Sequence, residues 1–122
     1  MKKILIAEDD NFLTSAYKVK LKREGFDVQV AGDGEQALLA LKTFIPDIIL
    51  LDLVMPIKDG FAVLEEVKKD PNLKDIPVVV MSNLGQKEDI DRARALGARE
   101  YFIKTDIQLK DMAQKIKALL DK

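Results

Sequence analysis

Polar residues that could take part in chemistry follow several short apolar runs in this sequence. Runs of this length, rich in Ile, Leu and Val, are typical of strands buried on both faces of a parallel sheet. Parallel strands end at one common edge, which is where open α/β sheets bind ligands. We therefore expect these polar residues to lie together. They are Glu8 and Asp9 after the run 4–7, Asp52 after 48–51, Ser82 after 77–81 and Lys104 after 101–103.

The carboxylates of Glu8, Asp9 and Asp52 would repel one another in a partly desolvated cleft, so this group needs a cation. The sequence contains no cysteine and no histidine, which removes thiolate and imidazole ligands. Oxygen ligands favour a hard cation, and we expect Mg²⁺ (or Mn²⁺) that retains several waters. Lys104 would add a further positive charge.

These residue types suit the transfer of a phosphoryl group to a carboxylate. Asp52 would attack phosphorus and form an acyl phosphate, a known covalent role of aspartate. The metal and Lys104 would neutralise the oxygens of the transferring group, and the Ser82 hydroxyl would hydrogen-bond one of them. A carboxylate is already ionised and needs no general base, which agrees with a chain that lacks histidine.

Composition excludes several other classes of function. The chain has 122 residues with 20 basic and 21 acidic side chains, as expected for one globular domain. Since there is no basic tract or cationic helix face, neither a nucleic acid nor a membrane is expected as a partner. The first apolar run stops at Glu8, too early for a signal sequence or a membrane span. We therefore expect a cytoplasmic protein.

Apolar runs and helical periodicities alternate along the whole chain. This alternation predicts one parallel sheet with helices on both faces and right-handed crossovers. Only residues 121–122 follow the last helix, so we expect one domain over 1–122 and no output domain. The predicted strands are 4–7, 26–31, 48–51, 77–81 and 101–103, and the predicted helices are 11–23, 35–44, 60–69, 87–96 and 109–120.

Other acidic residues are interpreted as structural. Asp10, Asp33 and Asp47 stand where helix caps or turns are expected. Asp59 and Gly60 fit a turn and the start of a helix.

The complete set of motifs resembles the receiver domain of two-component response regulators, and the resemblance extends over the whole chain. It implies a doubly wound, flavodoxin-like (βα)5 fold with strand order 2-1-3-4-5. The set comprises Glu8-Asp9, Asp52 with Met55-Pro56 and Asp59-Gly60, Ser82, Tyr101 and Lys104.

The resemblance also implies a role for each site residue. Glu8 and Asp9 would help to hold Mg²⁺, with the Val54 backbone carbonyl as a further ligand, and Asp52 would be both phosphoacceptor and metal ligand. Lys104 would pair with the acyl phosphate. In the phosphorylated state Ser82 would move toward the phosphoryl group and Tyr101 would turn inward, which changes the face formed by the fourth helix, fifth strand and fifth helix.

Partners follow from the same resemblance. A sensor histidine kinase or a histidine phosphotransfer protein would supply the phosphoryl group, and the switched face would bind a downstream protein. The domain would work as a monomer or as a phosphorylation-dependent dimer. It would be a free-standing switch that catalyses its own phosphorylation, and we do not class it as an enzyme.

Two positions depart from the family pattern. Thr105 follows Lys104 where the family usually has a cis proline, and Asn83 stands where a small residue is favoured. These departures keep open the alternative of a receiver-like module that binds partners without phosphorylation.

Two other alternative functions fit the sequence less well. A haloacid-dehalogenase-type phosphatase would need an acid at Val54, and the acids 8–10 would repel the phosphate of a flavin.

The lifetime of the phosphorylated state can also be predicted from the resemblance. The residues two positions past the acceptor and past the hydroxyl tune hydrolysis in this family, and here they are Val54 and Leu84. Both are apolar and cannot orient an attacking water, so we expect slow self-dephosphorylation.

Overall fold

The computed structural model describes residues 1–121, in which strands and helices alternate as predicted. Lys122, the last residue of the predicted domain, lies outside the described residues. The elements are β1 Lys3–Ala7, α1 Asn11–Arg23, β2 Asp27–Ala31, α2 Gly34–Ala40, β3 Ile48–Leu51, α3 Gly60–Lys69, β4 Val78–Ser82, α4 Lys87–Ala95, β5 Glu100–Ile103 and α5 Leu109–Leu120, with a 3-10 turn at Lys104–Asp106 before α5.

The sheet has the order β2-β1-β3-β4-β5 and every neighbouring pair of strands is parallel. The predicted doubly wound fold and its strand order are therefore confirmed. Ala7 of β1 lies opposite Leu51 of β3, so Glu8 and Asp52 leave the sheet side by side. Ser82 lies opposite Ile103, which places Lys104 at the same edge.

Alternate strand residues pack against helices on the two faces of the sheet. Leu5, Ile49 and Val80 belong to the core under α2, α3 and α4. Ile6 and Leu50 belong to the core under α1 and α5. Both faces of β1 and β3 are buried, which explains why their sequences are continuous apolar runs rather than alternating ones.

The acids interpreted as structural have structural roles. Asp10, Asp33 and Asp59 are the N-caps of α1, α2 and α3, and each carboxylate accepts hydrogen bonds from N–H groups of the first helical turn. Asp47 accepts a hydrogen bond of 2.7 Å from the N–H of Lys3, which joins the starts of β1 and β3.

No helix within residues 1–121 has the length and apolar composition needed to cross a bilayer.

The predicted end of the second helix is wrong. The periodicity predicted a helix to residue 44, but α2 ends at Ala40. Beyond that residue the chain forms a tighter turn, in which the N–H groups of Lys42 and Thr43 donate to carbonyls three residues back, at 3.1 Å in both cases, and the N–H of Phe44 donates to the carbonyl of Ala40 at 2.9 Å. Pro46 disfavours the helical conformation at residue 45, so no helix continues past this turn.

Candidate functional site

Three carboxylates meet at the carboxyl edge of the sheet. One oxygen from each of Glu8, Asp9 and Asp52 lies within 4.8 Å of the other two. Glu8 and Asp52 are buried because they directly follow β1 and β3, two neighbouring inner strands, while Asp9 is exposed. The structure thus brings together all three acids that the sequence placed at one edge.

Lys104 reaches this cluster from the end of β5. Its Nζ lies 3.0 Å from Oδ2 of Asp52 and also donates to Oε1 of Glu8. No peptide bond between residues 1 and 121 is cis, so the Lys104–Thr105 bond, which the sequence left undecided, is trans. The lysine therefore reaches Asp52 without the proline that the family pattern usually has.

Burial and ion pairing act on the pKa values of this site in opposite directions. Burial raises the pKa of the Glu8 carboxyl to about 7, although hydrogen bonds from Lys104 and from the Asp10 N–H counteract it. Burial would lower the pKa of Lys104, but its hydrogen bonds to Glu8 and Asp52 outweigh this and raise it above the ordinary value. The ammonium is therefore a permanent charge of the site.

The donor set fits a hard divalent cation. Three carboxylates and one ammonium leave an excess of negative charge, and every candidate ligand atom in the cluster is an oxygen. The N–H of Val54 donates to Oδ1 of Asp52 at 3.2 Å, so Val54 lies directly beside that carboxylate. The use of its carbonyl as a metal ligand stays a prediction.

Ser82 and Tyr101 are both linked to Leu84. Ser82 is fully buried at the end of β4, and its Oγ accepts a hydrogen bond of 3.2 Å from the N–H of Leu84. Tyr101 is half-buried, and its hydroxyl donates to the carbonyl oxygen of Leu84. Asn83, between the two bonded residues, is exposed. The predicted switch roles of Ser82 and Tyr101 remain predictions.

Two features of the site were missed from the sequence. Leu84 binds Ser82 through its backbone N–H and Tyr101 through its carbonyl oxygen. A pattern of side chains cannot indicate such main-chain contacts. Gly60 was interpreted as the start of a helix, but it also allows a close contact between two backbone segments. A Cβ at this position would lie 2.2 Å from the carbonyl oxygen of Asp52. Only glycine allows α3 to begin this close to the backbone of Asp52, and the Asp59-Gly60 motif was the available signal.

A β2-β1-β3-β4-β5 parallel sheet with an acidic cluster and a lysine at its carboxyl edge defines a flavodoxin-like α/β protein of the receiver type. The chain belongs to the response regulator receiver domain family, and the sequence model of this family matches residues 4–117.

Individual proteins agree with this membership. The chain is 35% identical over 120 residues to the DNA-binding dual master transcriptional regulator RpaA of Synechocystis sp., covering 98% of this chain and 49% of the relative. It thus spans about half the length of the curated relatives it matches.

Two solved structures are similar over nearly the whole domain. The Mn²⁺-bound form of response regulator Rcp1 has a TM-score of 0.84 at 31% identity, covering 98% of this chain and 91% of that one. The phosphorylated cyanobacterial phytochrome response regulator RcpA has a TM-score of 0.85 at 35% identity, covering 97% and 90%.

Proposed function

We propose that this domain accepts a phosphoryl group on Asp52 in a Mg²⁺-dependent reaction and thereby switches a protein-binding face. The observation that carries the proposal is the position of Lys104, whose ammonium contacts both Asp52 and Glu8 within the acidic cluster. A similar protein whose structure is described as phosphorylated supports it.

The chemistry requires one bond to form and one to break. A carboxylate oxygen of Asp52 attacks phosphorus, and the bond between phosphorus and the donor atom breaks, with its electron pair leaving on the donor. Lys104 is placed to offset negative charge on the transferring group, and the Ser82 hydroxyl can hydrogen-bond it after leaving Leu84. The donor in the cell would be the phosphohistidine of a sensor kinase or of a phosphotransfer protein.

Glu8, Asp9, Asp52 and the Val54 carbonyl would hold the Mg²⁺ ion. When bound, the ion supplies positive charge that offsets the repulsion between the carboxylates and an incoming phosphoryl group. The oxygen-only cluster supports this assignment, as does a similar response regulator described as Mn²⁺-bound.

Switching would start at Leu84, because Ser82 and Tyr101 both bond to its backbone. A Ser82 hydroxyl that turns toward the phosphoryl group gives up its bond to Leu84, which frees the loop between β4 and α4. The face formed by α4, β5 and α5 would then bind a downstream protein, with the domain as a monomer or as a phosphorylation-dependent dimer. We extend the proposal to a cytoplasmic location and to a switch rather than an enzyme.

The test uses the purified chain with Mg²⁺ and acetyl phosphate, followed by intact mass measurement. We expect an adduct of one phosphoryl group in the wild-type chain, none after Asp52→Asn, and none when the metal is chelated. Beryllofluoride with Mg²⁺ should shift the NMR signals of the loop after β4. An adduct that survives Asp52→Asn would refute Asp52 as the acceptor. The absence of any response to both reagents would refute the proposal and would favour a module that works without phosphorylation.

A further inference from the structure

β2 is an edge strand whose outer side pairs with no other strand within residues 1–121. It is bonded to β1 alone, in a parallel register that is continuous over all its residues. The N–H of Asp27 donates to the carbonyl of Lys2 at 2.9 Å, so residues 27, 29 and 31 direct their main-chain groups toward β1. Because successive strand residues alternate, the N–H and carbonyl groups of Val28 and Val30 point to the open edge.

The free donors of this edge are limited to these two residues, because the outward N–H groups on either side of them are already bonded. The N–H of Phe26 donates to the carbonyl of Leu21 at 3.1 Å. The N–H of Gly32 donates to Oε1 of Gln36 at 3.3 Å. Within residues 26–32, a strand that adds to this edge would therefore find only the donors at positions 28 and 30.

The sequence of β2 contains no feature that blocks a further strand. Natural proteins usually protect an exposed edge with lysine, proline or a bulge. Residues 28–31 contain no charged residue and no proline, and the continuous register with β1 leaves no bulge. Asp27 carries the one charge of the strand and stands at its first position, whereas Gln29 at the centre is exposed and neutral. This edge is therefore open to association.

An exposed stripe of α2 and the turn after it lies beside the same edge. Leu39 is 62% exposed and lines a groove together with Gln29 and Lys42. Glu35 stands four residues before Leu39 and Lys42 stands three residues after it, a spacing that places all three on one side of the helix. Both charged residues are exposed. The stripe therefore has an exposed leucine between charges of opposite sign.

We propose that β2 is an interface between two copies of this chain, whose β2 strands pair in antiparallel orientation around a two-fold axis at Gln29. Val28 of each copy would then lie opposite Val30 of the other, and both pairs would exchange two main-chain hydrogen bonds. These bonds use the free donors of the edge. The two sheets join into one, and the assembly closes as a dimer because both copies use the same surface.

A second copy fits this edge because the residues beside the axis are self-complementary. The two Gln29 side chains would meet at the axis, where an amide can both donate to and accept from its own copy. The axis reverses the direction of α2, so Glu35 of one copy would come level with Lys42 of the other, on either side of the two Leu39 side chains. The net charge of −1 adds little repulsion between copies. An unrelated extended peptide would lack this symmetric match.

This interface is separate from the proposed switch. β2 and β5 form opposite edges of the sheet. The face formed by α4, β5 and α5, which phosphorylation would change, therefore takes no part in the pairing of β2. Association through β2 should need no phosphoryl donor and should be retained in Asp52→Asn.

The experiment measures the dissociation constant of the purified chain by analytical ultracentrifugation without a phosphoryl donor. Gln29→Lys and Gln29→Glu each bring like charges together at the axis, and we expect either change to weaken the dimer by at least about tenfold. An equimolar mixture of the two variants should restore association as a heterodimer, because opposite charges then meet. Gln114→Lys, a change at an exposed glutamine of α5, is the matched control and should stay within about twofold of wild type.

Hydrogen exchange of the wild-type chain shows whether the dimer uses this edge. The amides of Val28 and Val30 should exchange more slowly as the protein concentration rises, because the second copy supplies their acceptors. The amide of Gln29, which faces β1, should change little. Slower exchange in α4 or β5 without any change at positions 28 and 30 would overturn the inference.

The association measurements can overturn the inference in three further ways. A wild-type chain that stays monomeric up to about 1 mM would show that the edge does not bind its own copy. A dimer that persists in Gln29→Lys, or two variants that fail to associate when mixed, would show that Gln29 does not lie on the axis. A dimer that forms only with beryllofluoride, or is lost in Asp52→Asn, would belong to the switched face instead.

Discussion

Lys104 joins the acidic residues that follow β1 and β3, because its Nζ lies 3.0 Å from Oδ2 of Asp52 and also donates to Oε1 of Glu8. Both carboxylates are buried, and a single ammonium compensates part of their charge. In the proposed function the same ammonium would meet a phosphoryl group on Asp52. One side chain therefore contributes to folding without metal and to the proposed chemistry.

Removal of this ammonium should destabilise the domain most when no metal is bound. Lys104→Met leaves Glu8 and Asp52 without their partner, and we expect a loss of roughly 2–4 kcal/mol in the free energy of unfolding in EDTA. Mg²⁺ should restore more stability to this variant than to the wild type, because the ion replaces the missing charge. Urea unfolding with EDTA and with Mg²⁺ measures both effects.

Lys110→Met is the control for this prediction, since Lys110 is an exposed lysine of α5. It should change the stability little under either condition. An equal gain from Mg²⁺ in Lys104→Met and in the wild type would show that lysine and metal do not act on the same charges.

Glu8 should make the stability of the metal-free domain depend on pH. Burial raises the pKa of its carboxyl in the folded state to about 7 from an ordinary value of 4.5. The folded state thus binds this proton more tightly than the unfolded state. The stabilisation from Glu8 is fully present below about pH 4.5 and is lost as the pH rises through about 7, by an amount of roughly 3 kcal/mol.

Urea unfolding in EDTA between about pH 5 and pH 7.5 tests this dependence. Glu8→Gln cannot titrate at position 8, so its stability should fall less over this interval than that of the wild type. Glu35→Gln, a change at an exposed glutamate of α2, serves as the matched control and should follow the wild type. Parallel curves for the wild type and Glu8→Gln would contradict the prediction.

Gly60 should not tolerate even the smallest side chain. A Cβ there would lie 2.2 Å from the carbonyl oxygen of Asp52 and 2.6 Å from Cα of Leu53, so the backbone must move. We expect Gly60→Ala to lower the free energy of unfolding by roughly 1–3 kcal/mol and to slow phosphorylation by acetyl phosphate, because the acceptor strand shifts. In Gly32→Ala the nearest atom would be Oε1 of the flexible Gln36 side chain, 3.7 Å away. Equal effects of the two substitutions would argue against this steric role.

The parts of the fold that could be predicted depend on side-chain character. Buried strands followed by acids, hydroxyl or lysine are visible in the sequence, because burial requires apolar residues and the sheet edge admits polar ones. For this reason the sequence alone predicts that Glu8, Asp52 and Lys104 lie at one edge. The strand order came from the resemblance to a family, since periodicity does not determine which strands are neighbours.

The missed features depend on backbone geometry. Helix α2 ends at Ala40 although its apolar period continues, because a tightened turn before Pro46 replaces the next helical turn. The positive φ of Ile57 has no sequence signal, since glycine or asparagine is the usual sign of that conformation. The two hydrogen bonds at Leu84 use main-chain atoms, which every residue possesses.

Tyr101 should restrain the loop after β4 through its hydroxyl. Its bond to the Leu84 carbonyl joins β5 to that loop, and Tyr101→Phe removes this bond while it keeps the ring. We expect a loss of about 1 kcal/mol in stability and faster hydrogen exchange at the amides of residues 84–86, with phosphorylation by acetyl phosphate retained. Tyr17→Phe, a change at the phenol on the other face of the sheet, is the control for removing a hydroxyl. Unchanged exchange in this loop would show that the tyrosine does not restrain it.

Val54 should slow the loss of the phosphoryl group from Asp52. Its N–H donates to Oδ1 of Asp52, so its side chain begins next to the carboxylate that would carry the phosphoryl group. Because an apolar side chain cannot orient this water, the phosphorylated wild type should decay slowly, and Val54→Asn, which offers an amide, should decay several times faster. Decay is followed by intact mass after removal of acetyl phosphate. Val19→Asn, at an exposed valine of α1, is the matched control and should decay like the wild type. Wild-type decay complete within seconds, or equal rates in Val54→Asn and the wild type, would contradict a role of Val54 in the lifetime.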